Sequence, residues 1–131
     1  MTEGISSITA EVVKLALDAS VMQHKVIANN IANANTDGFK PQTLAFEPYL
    51  RQLSEHIAGD GAEQSIDEHI SSLRNQLNNG EGLLQTGEQK VQLDMEMAKL
   101  ADNTLHYKAL LEGLSKYGSL LKMAIKEDVR S

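Results

Sequence analysis

ISSITAEVVKLALDASVMQHKVIANNIANANTDGFK, residues 5–40, decides how the chain is read. Ile5, Ile8, Val12, Leu15, Ala19, Met22 and Val26 alternate three and four apart, an a/d seam of period 3.5, and Gly and Pro are absent from residues 5–37. The segment is therefore expected to form one long helix. Other positions are apolar as well: Ala10, Leu17 and Ile31 share one register position, Val13 and Ile27 a second, Val21 and Ala28 a third. A helix apolar around most of its circumference is normally buried by several neighbours. Asn29 and Asn33 continue the seam where Val or Leu is expected, and an amide there trades stability for register because it must find a particular partner. Asn35 and Thr36 suit a helix end, and Asp37-Gly38 is a turn signal with Gly supplying a positive φ.

Charge and helix breakers divide the rest. Residues 1–36 carry 3 acids and 2 bases, residues 37–90 carry 9 and 4, and residues 91–131 carry 6 and 6. Both prolines and six of the nine glycines fall between 38 and 90. The expected organisation is an N-terminal axial helix over 1–36, a loop-rich acidic middle over 37–90, and a C-terminal axial helix over 91–131, the two ends forming one domain. In the middle, Phe46, Leu50, Leu53 and Ile57 suggest one short helix, and Ile66, Ile70, Leu73 and Leu77 another. No strand pattern longer than four residues stands out. In the last segment Asp94 is a candidate N-cap, with Glu96 in the first turn. Met97, Leu100, Tyr107, Leu111, Leu114, Leu121 and Ile125 form its a/d seam, widened by Leu110, Tyr117 and Ala124.

Helices over 5–35 and 94–126 would be about 46 and 50 Å long. A compact chain of 131 residues is roughly 36 Å across, so an elongated, all-α molecule is expected, with long terminal helices paired in a coiled-coil-like bundle around an irregular middle.

Function classes fall away by composition. A net charge of −6 opposes a phosphate-binding surface, and two Phe, three Tyr and no Trp leave few platforms for base stacking, so nucleic acid is not an expected partner. The absence of Cys removes disulfides, thiolate metal sites and a Cys nucleophile. His24, His56, His69 and His106 stand at no metal-ligand spacing. No nucleophile elbow or phosphate loop occurs, so no enzyme activity, cofactor, metal or small-molecule substrate is expected. The first residues have neither the basic nor the apolar region of a signal peptide, and apolar runs are too short to span a membrane.

The segment from Asn29 to Lys40, NNIANANTDGFK, resembles the N-terminal signature of the flagellar rod and hook axial proteins. Leu17, Phe46 and Leu50 fit, as do Val91, Glu96, Met97, Tyr107 and the closing Ala124-Ile125-Lys126, which resemble the end of proximal-rod subunits of the FlgB type. The likeness covers about residues 5–57 and 91–127; Asp37 stands where Pro is common in that family. It implies a structural subunit of the basal-body rod, exported by the flagellar type III system without a cleaved signal peptide. Such a subunit polymerises through its terminal helices, connects the membrane ring and export gate to the distal rod, and transmits torque. Its implied partners are copies of itself, other rod subunits, the ring–rod junction protein, and the membrane ring with its export gate. Asn29, Asn30, Ile31, Ala32, Asn33, Asn35, Thr36, Gly38 and Phe39 would be its subunit-interaction motif. The alternatives are a rod subunit of the FlgC type, or a soluble helical adaptor or export chaperone.

Overall fold

In a computed structural model of the chain, the backbone is described for residues 2–59, 63–79 and 83–130, and side chains for 9–53, 55, 59, 66–79 and 83–119. The elements in order are α1 (Thr2–Ala32), β1 (Gln42–Leu44), α2 (Glu47–Ala58), α3 (Glu63–Asn79), β2 (Leu84–Thr86) and α4 (Leu93–Arg130). The fold is predominantly α. At 1.5 Å per residue the 31 residues of α1 span about 46 Å and the 38 of α4 about 57 Å. The chain presents 9237 Å² to solvent, against about 6,800 Å² for a compact protein of its mass. Length and excess surface agree on an elongated molecule.

The core lies between α1 and the middle of the chain. Leu15 and Ala19 of α1 meet Leu44, Phe46, Leu53, Ile66, Ile70, Leu73, Leu77 and Leu83, with Val12, Met22, Tyr49 and Leu50 packed at the margin. The spacing of Ile66, Ile70, Leu73 and Leu77 gives α3 one apolar face, and all four are buried. α2 begins with Glu47 and Pro48, whose missing N–H costs nothing in a first turn. Arg74 on the polar side of α3 reaches Glu11 (3.4 Å) and Asp18 (3.9 Å) of α1.

The middle is therefore more regular than expected, with helices of 12 and 17 residues and a small sheet. β1 and β2 pair antiparallel with Gln42, Thr43 and Leu44 opposite Thr86, Gln85 and Leu84. The Gly87 N–H donates to Pro41 O (2.8 Å) and the Ala45 N–H to Leu83 O (2.7 Å). Three-residue strands are too short for period-two alternation, and β2 is exposed at every position, so no pattern betrays them.

Among the described residues, α4 contributes nothing to that core. It runs antiparallel to α1 through a seam of buried Glu96 and half-buried Leu100, Asn103, Tyr107, Leu110, Leu114 and Tyr117. The expected seam is thus corrected at two positions. Met97 is 53% exposed and Leu111 43%, one residue out of phase with the contact, while Leu100, Tyr107 and Leu114 belong to both seams. The expected N-cap is corrected too: α4 starts at Leu93, which puts Asp94 in the first turn, where its carboxylate accepts the Met95 N–H at 2.9 Å. The side chains of Ile5, Ile8, Ile57, Leu121, Ala124 and Ile125 lie outside the described residues.

Candidate assembly site

The asparagine segment divides between two faces. Asn30 points inward and is 1% exposed, although its neighbour Asn29 is exposed and Asn33 half-buried. The expectation that Asn29 and Asn33 continue the buried seam is corrected accordingly within the chain. A strict seven-residue repeat drifts about 20° per heptad on a straight helix of 3.6 residues per turn. The buried positions Leu15 and Val26, and likewise Ala19 and Asn30, stand eleven apart, three near-ideal turns, which carries the buried line from Asn29 to Asn30.

The Asn30 amide uses both hydrogens and its oxygen. Nδ2 donates to Gln42 O (2.8 Å) and to Glu96 Oε2 (3.1 Å), while Oδ1 accepts the Gln42 N–H (2.9 Å). The pairing of β1 explains why Gln42 is open to it. In an antiparallel ladder alternate residues turn their backbone groups to opposite edges. Pro41 and Ala45 bond towards β2, so Gln42 turns away from it and offers its N–H and C=O to Asn30 as a neighbouring strand would receive them. Glu96 is 4% exposed; its second oxygen lies 3.3 Å from Lys99 Nζ, and it sits in the first turn of α4, where the helix dipole favours a negative charge. One amide therefore ties together the end of α1, the outer edge of β1 and the start of α4. Farther along the pair, Asn103 Nδ2 donates to Ser20 O (2.9 Å) and the Ser20 hydroxyl donates to Asn103 Oδ1 (3.0 Å).

The outer face is a ladder local to the turn. Asn33 Nδ2 donates to Asn29 O (2.9 Å) and to Asn29 Oδ1 (3.1 Å), and the Thr36 hydroxyl donates to Asn33 Oδ1 (3.2 Å). Backbone bonds from Asn33 to Asn29, Ala34 to Ile31, Thr36 to Asn33 and Phe39 to Thr36 unwind the helix into the loop. Ala32, Asn35, Thr36 and Gly38 are exposed; Ile31 and Phe39 are half-buried. Gly38 has φ +76°, and a Cβ built there meets nothing within 4 Å. Gly38→Ala should therefore cost only the left-handed backbone penalty, about 1–2 kcal/mol, readable as a lower urea midpoint at unchanged m-value.

Gln42 and Ser20 carry no mark in the sequence as members of a site. Asn103 and Glu96 do share one signal: they stand seven apart on a helix, with Leu110 and Tyr117 continuing the series. Among the described residues, no three His, Asp or Glu side chains gather as a metal site, and no helix is long and apolar enough to cross a membrane.

The sequence profile of the flagella basal body rod protein family matches residues 16–40. Flagellar basal body rod protein FlgB of Bacillus subtilis (strain 168) is 32% identical over 111 residues, covering 80% of this chain and 84% of that protein. The chain belongs to the FlgB family of flagellar basal-body rod proteins. FlgB of Aeromonas hydrophila agrees, 30% identical over 117 residues, 82% of this chain and 85% of that one. The rod protein FlgG of Buchnera aphidicola subsp. Baizongia pistaciae is 36% identical over 55 residues, 42% of this chain and 21% of that protein. On this FlgB-family chain the profile segment runs from the middle of α1 through the Asn30 node and the Gly38 turn. Membership makes the chain a structural subunit of the flagellar basal-body rod rather than an enzyme, and it favours neither the adaptor nor the FlgC-type alternative.

Proposed function

We propose that this rod subunit polymerises through its paired terminal helices, residues 1–36 and 91–131 forming the tube-building part and 37–90 its flanking part. One observation carries the reading: the core covers one side of α1, and the α1–α4 pair keeps apolar side chains exposed, among them Val21, Met97, Leu105 and Leu111. The basal-body location, and assembly with other rod subunits, follow from family membership. The finer contacts belong to the proposal: copies of this chain, the ring–rod junction protein, and the membrane ring with its export gate. So does export through the flagellar type III system without a cleaved signal peptide, in keeping with the family resemblance of residues 5–57 and 91–127. The rod so formed transmits torque to the distal rod.

The test is to tag the chain in a strain lacking its own copy and to purify basal bodies. Recovery of the chain there, with motility restored by complementation, supports the proposal; a chain confined to the cytosol refutes it.

Within the motif, Asn29, Asn33, Asn35 and Thr36 are the outward residues, set to meet a neighbouring subunit, and Asn30 shapes the surface from within. Replacing both Asn29 and Asn33 with Leu removes only exposed hydrogen bonds, so thermal stability should change by less than about 1 kcal/mol. Swimming-plate motility should nevertheless be lost. Normal motility in that double variant would exclude the outward asparagines from assembly.

A further inference from the structure

The turn after α1 holds two residues whose chemistry the assembly reading does not use. Asp37 and Gly38 are both exposed, and the Phe39 N–H donates to Thr36 O across them at 3.2 Å. Neither the Asp37 carboxylate nor the Gly38 N–H makes a hydrogen bond to another described residue. Gly38 brings no side chain, and the space where a Cβ would stand is empty to 4 Å. The Gly38 nitrogen is therefore free and unshielded, and its neighbour's carboxyl group is equally free.

The other described aspartates are placed differently. Asp18, Asp67 and Asp102 lie inside α1, α3 and α4, where the next amide is held in the helical ladder and the next residue, Ala19, Glu68 or Asn103, carries a side chain. The amide after Asp94 is Met95 N–H, which already donates to the Asp94 carboxylate at 2.9 Å. Asp60-Gly61, and the Gly80 that follows Asn79, lie outside the described residues.

We propose that Asp37-Gly38 is a self-modification site, where the folded chain slowly converts aspartate to isoaspartate and thereby loosens the Asn30 node. The Gly38 nitrogen attacks Asp37 Cγ. An N–Cγ bond forms, the C–OH bond of the protonated carboxyl group breaks, and the hydroxyl leaves with the amide proton as water. The product is a five-membered cyclic imide. Water adding back at Cγ restores aspartate. Water adding at the main-chain carbonyl carbon gives isoaspartate, with the backbone rerouted through Cβ and Cγ. The atoms balance, and no oxidant or reductant takes part. The rerouted backbone is one carbon longer inside the loop that the Phe39–Thr36 bond closes. That loop joins Asn30 to Gln42, whose N–H and C=O meet the Asn30 amide, so lengthening it displaces the strand edge from its partner.

The test incubates the full-length chain at physiological temperature and near-neutral pH for several weeks, one portion native and one unfolded in guanidinium. A protein-isoaspartate methyltransferase with a labelled methyl donor then marks isoaspartate, and peptide mapping locates the label. The expected result is label at residue 37 that rises with time in the native portion, with no change in peptide mass. Asp37→Glu should lose that label, because its longer side chain would have to close a six-membered ring. Asp37→Asn should reach the same imide by releasing ammonia in place of water, and label sooner. Label at residue 37 in the guanidinium portion alone overturns the proposal, because the folded turn then protects the pair. Equal label at Asp18 or Asp102 overturns it too. By circular dichroism, the aged wild-type chain should melt below the aged Asp37→Glu chain; coincident melting overturns the link to Asn30.

Discussion

Asn30→Ala should lower the stability of the isolated chain by about 3 kcal/mol. The substitution strands the Gln42 N–H and C=O and one Glu96 oxygen in a site where Asn30 itself is 1% exposed. Each buried group left without a partner costs about 1–3 kcal/mol, and Lys99 at 3.3 Å still compensates part of the Glu96 charge. For a chain of this size the melting temperature should fall by roughly 10 °C, measured by circular dichroism. Loosening should begin at the α1–α4 junction. Hydrogen exchange in the first three turns of α4 should therefore accelerate more than in α3, whose apolar face packs elsewhere. A melting temperature within about 2 °C of wild type would show that water replaces the amide at no cost.

Leu15→Ala should cost as much or more, about 3–4 kcal/mol, again by thermal melting. Leu15 is fully buried where α1 meets the middle of the chain, and the truncation leaves a void among side chains from several elements. The matching control is Leu105→Ala, which should leave the stability of the isolated chain within about 0.5 kcal/mol of wild type, because that side chain is exposed. If Leu15→Ala and Leu105→Ala destabilise equally, the core is not where these contacts put it.

The terminal helices, and the apolar face of α3, were legible because their signals are long or repeated. The stretch from Ile5 to Asp37, free of Gly and Pro, marks α1, and Ile66, Ile70, Leu73 and Leu77 define one face by spacing alone. The phase of each helix was not legible. On α1 the eleven-residue spacing moved the buried asparagine from Asn29 to Asn30, because a straight helix does not hold a seven-residue register. On α4 the expected seam keeps Leu100, Tyr107 and Leu114 against α1, but Met97 and Leu111 turn outward. Asn103 and Glu96 occupy that contact because Ser20 and Asn30 offer matched hydrogen-bonding groups, and a sequence does not state which polar pairs coincide in space. The motif was visible as a cluster of asparagines; that its inner member binds a strand edge rested on a sheet of three-residue strands with no sequence signature.

The sequence by itself determined the long terminal helices, the turn at Asp37-Gly38, the family resemblance and the surplus of apolar surface, since each follows from local spacing, backbone preference or composition. Only the tertiary structure decided which of those apolar positions the chain buries for itself and which it leaves open. That division depends on where α3 and β1 cover α1, and on the two polar contacts that set the rotation of α4 against it.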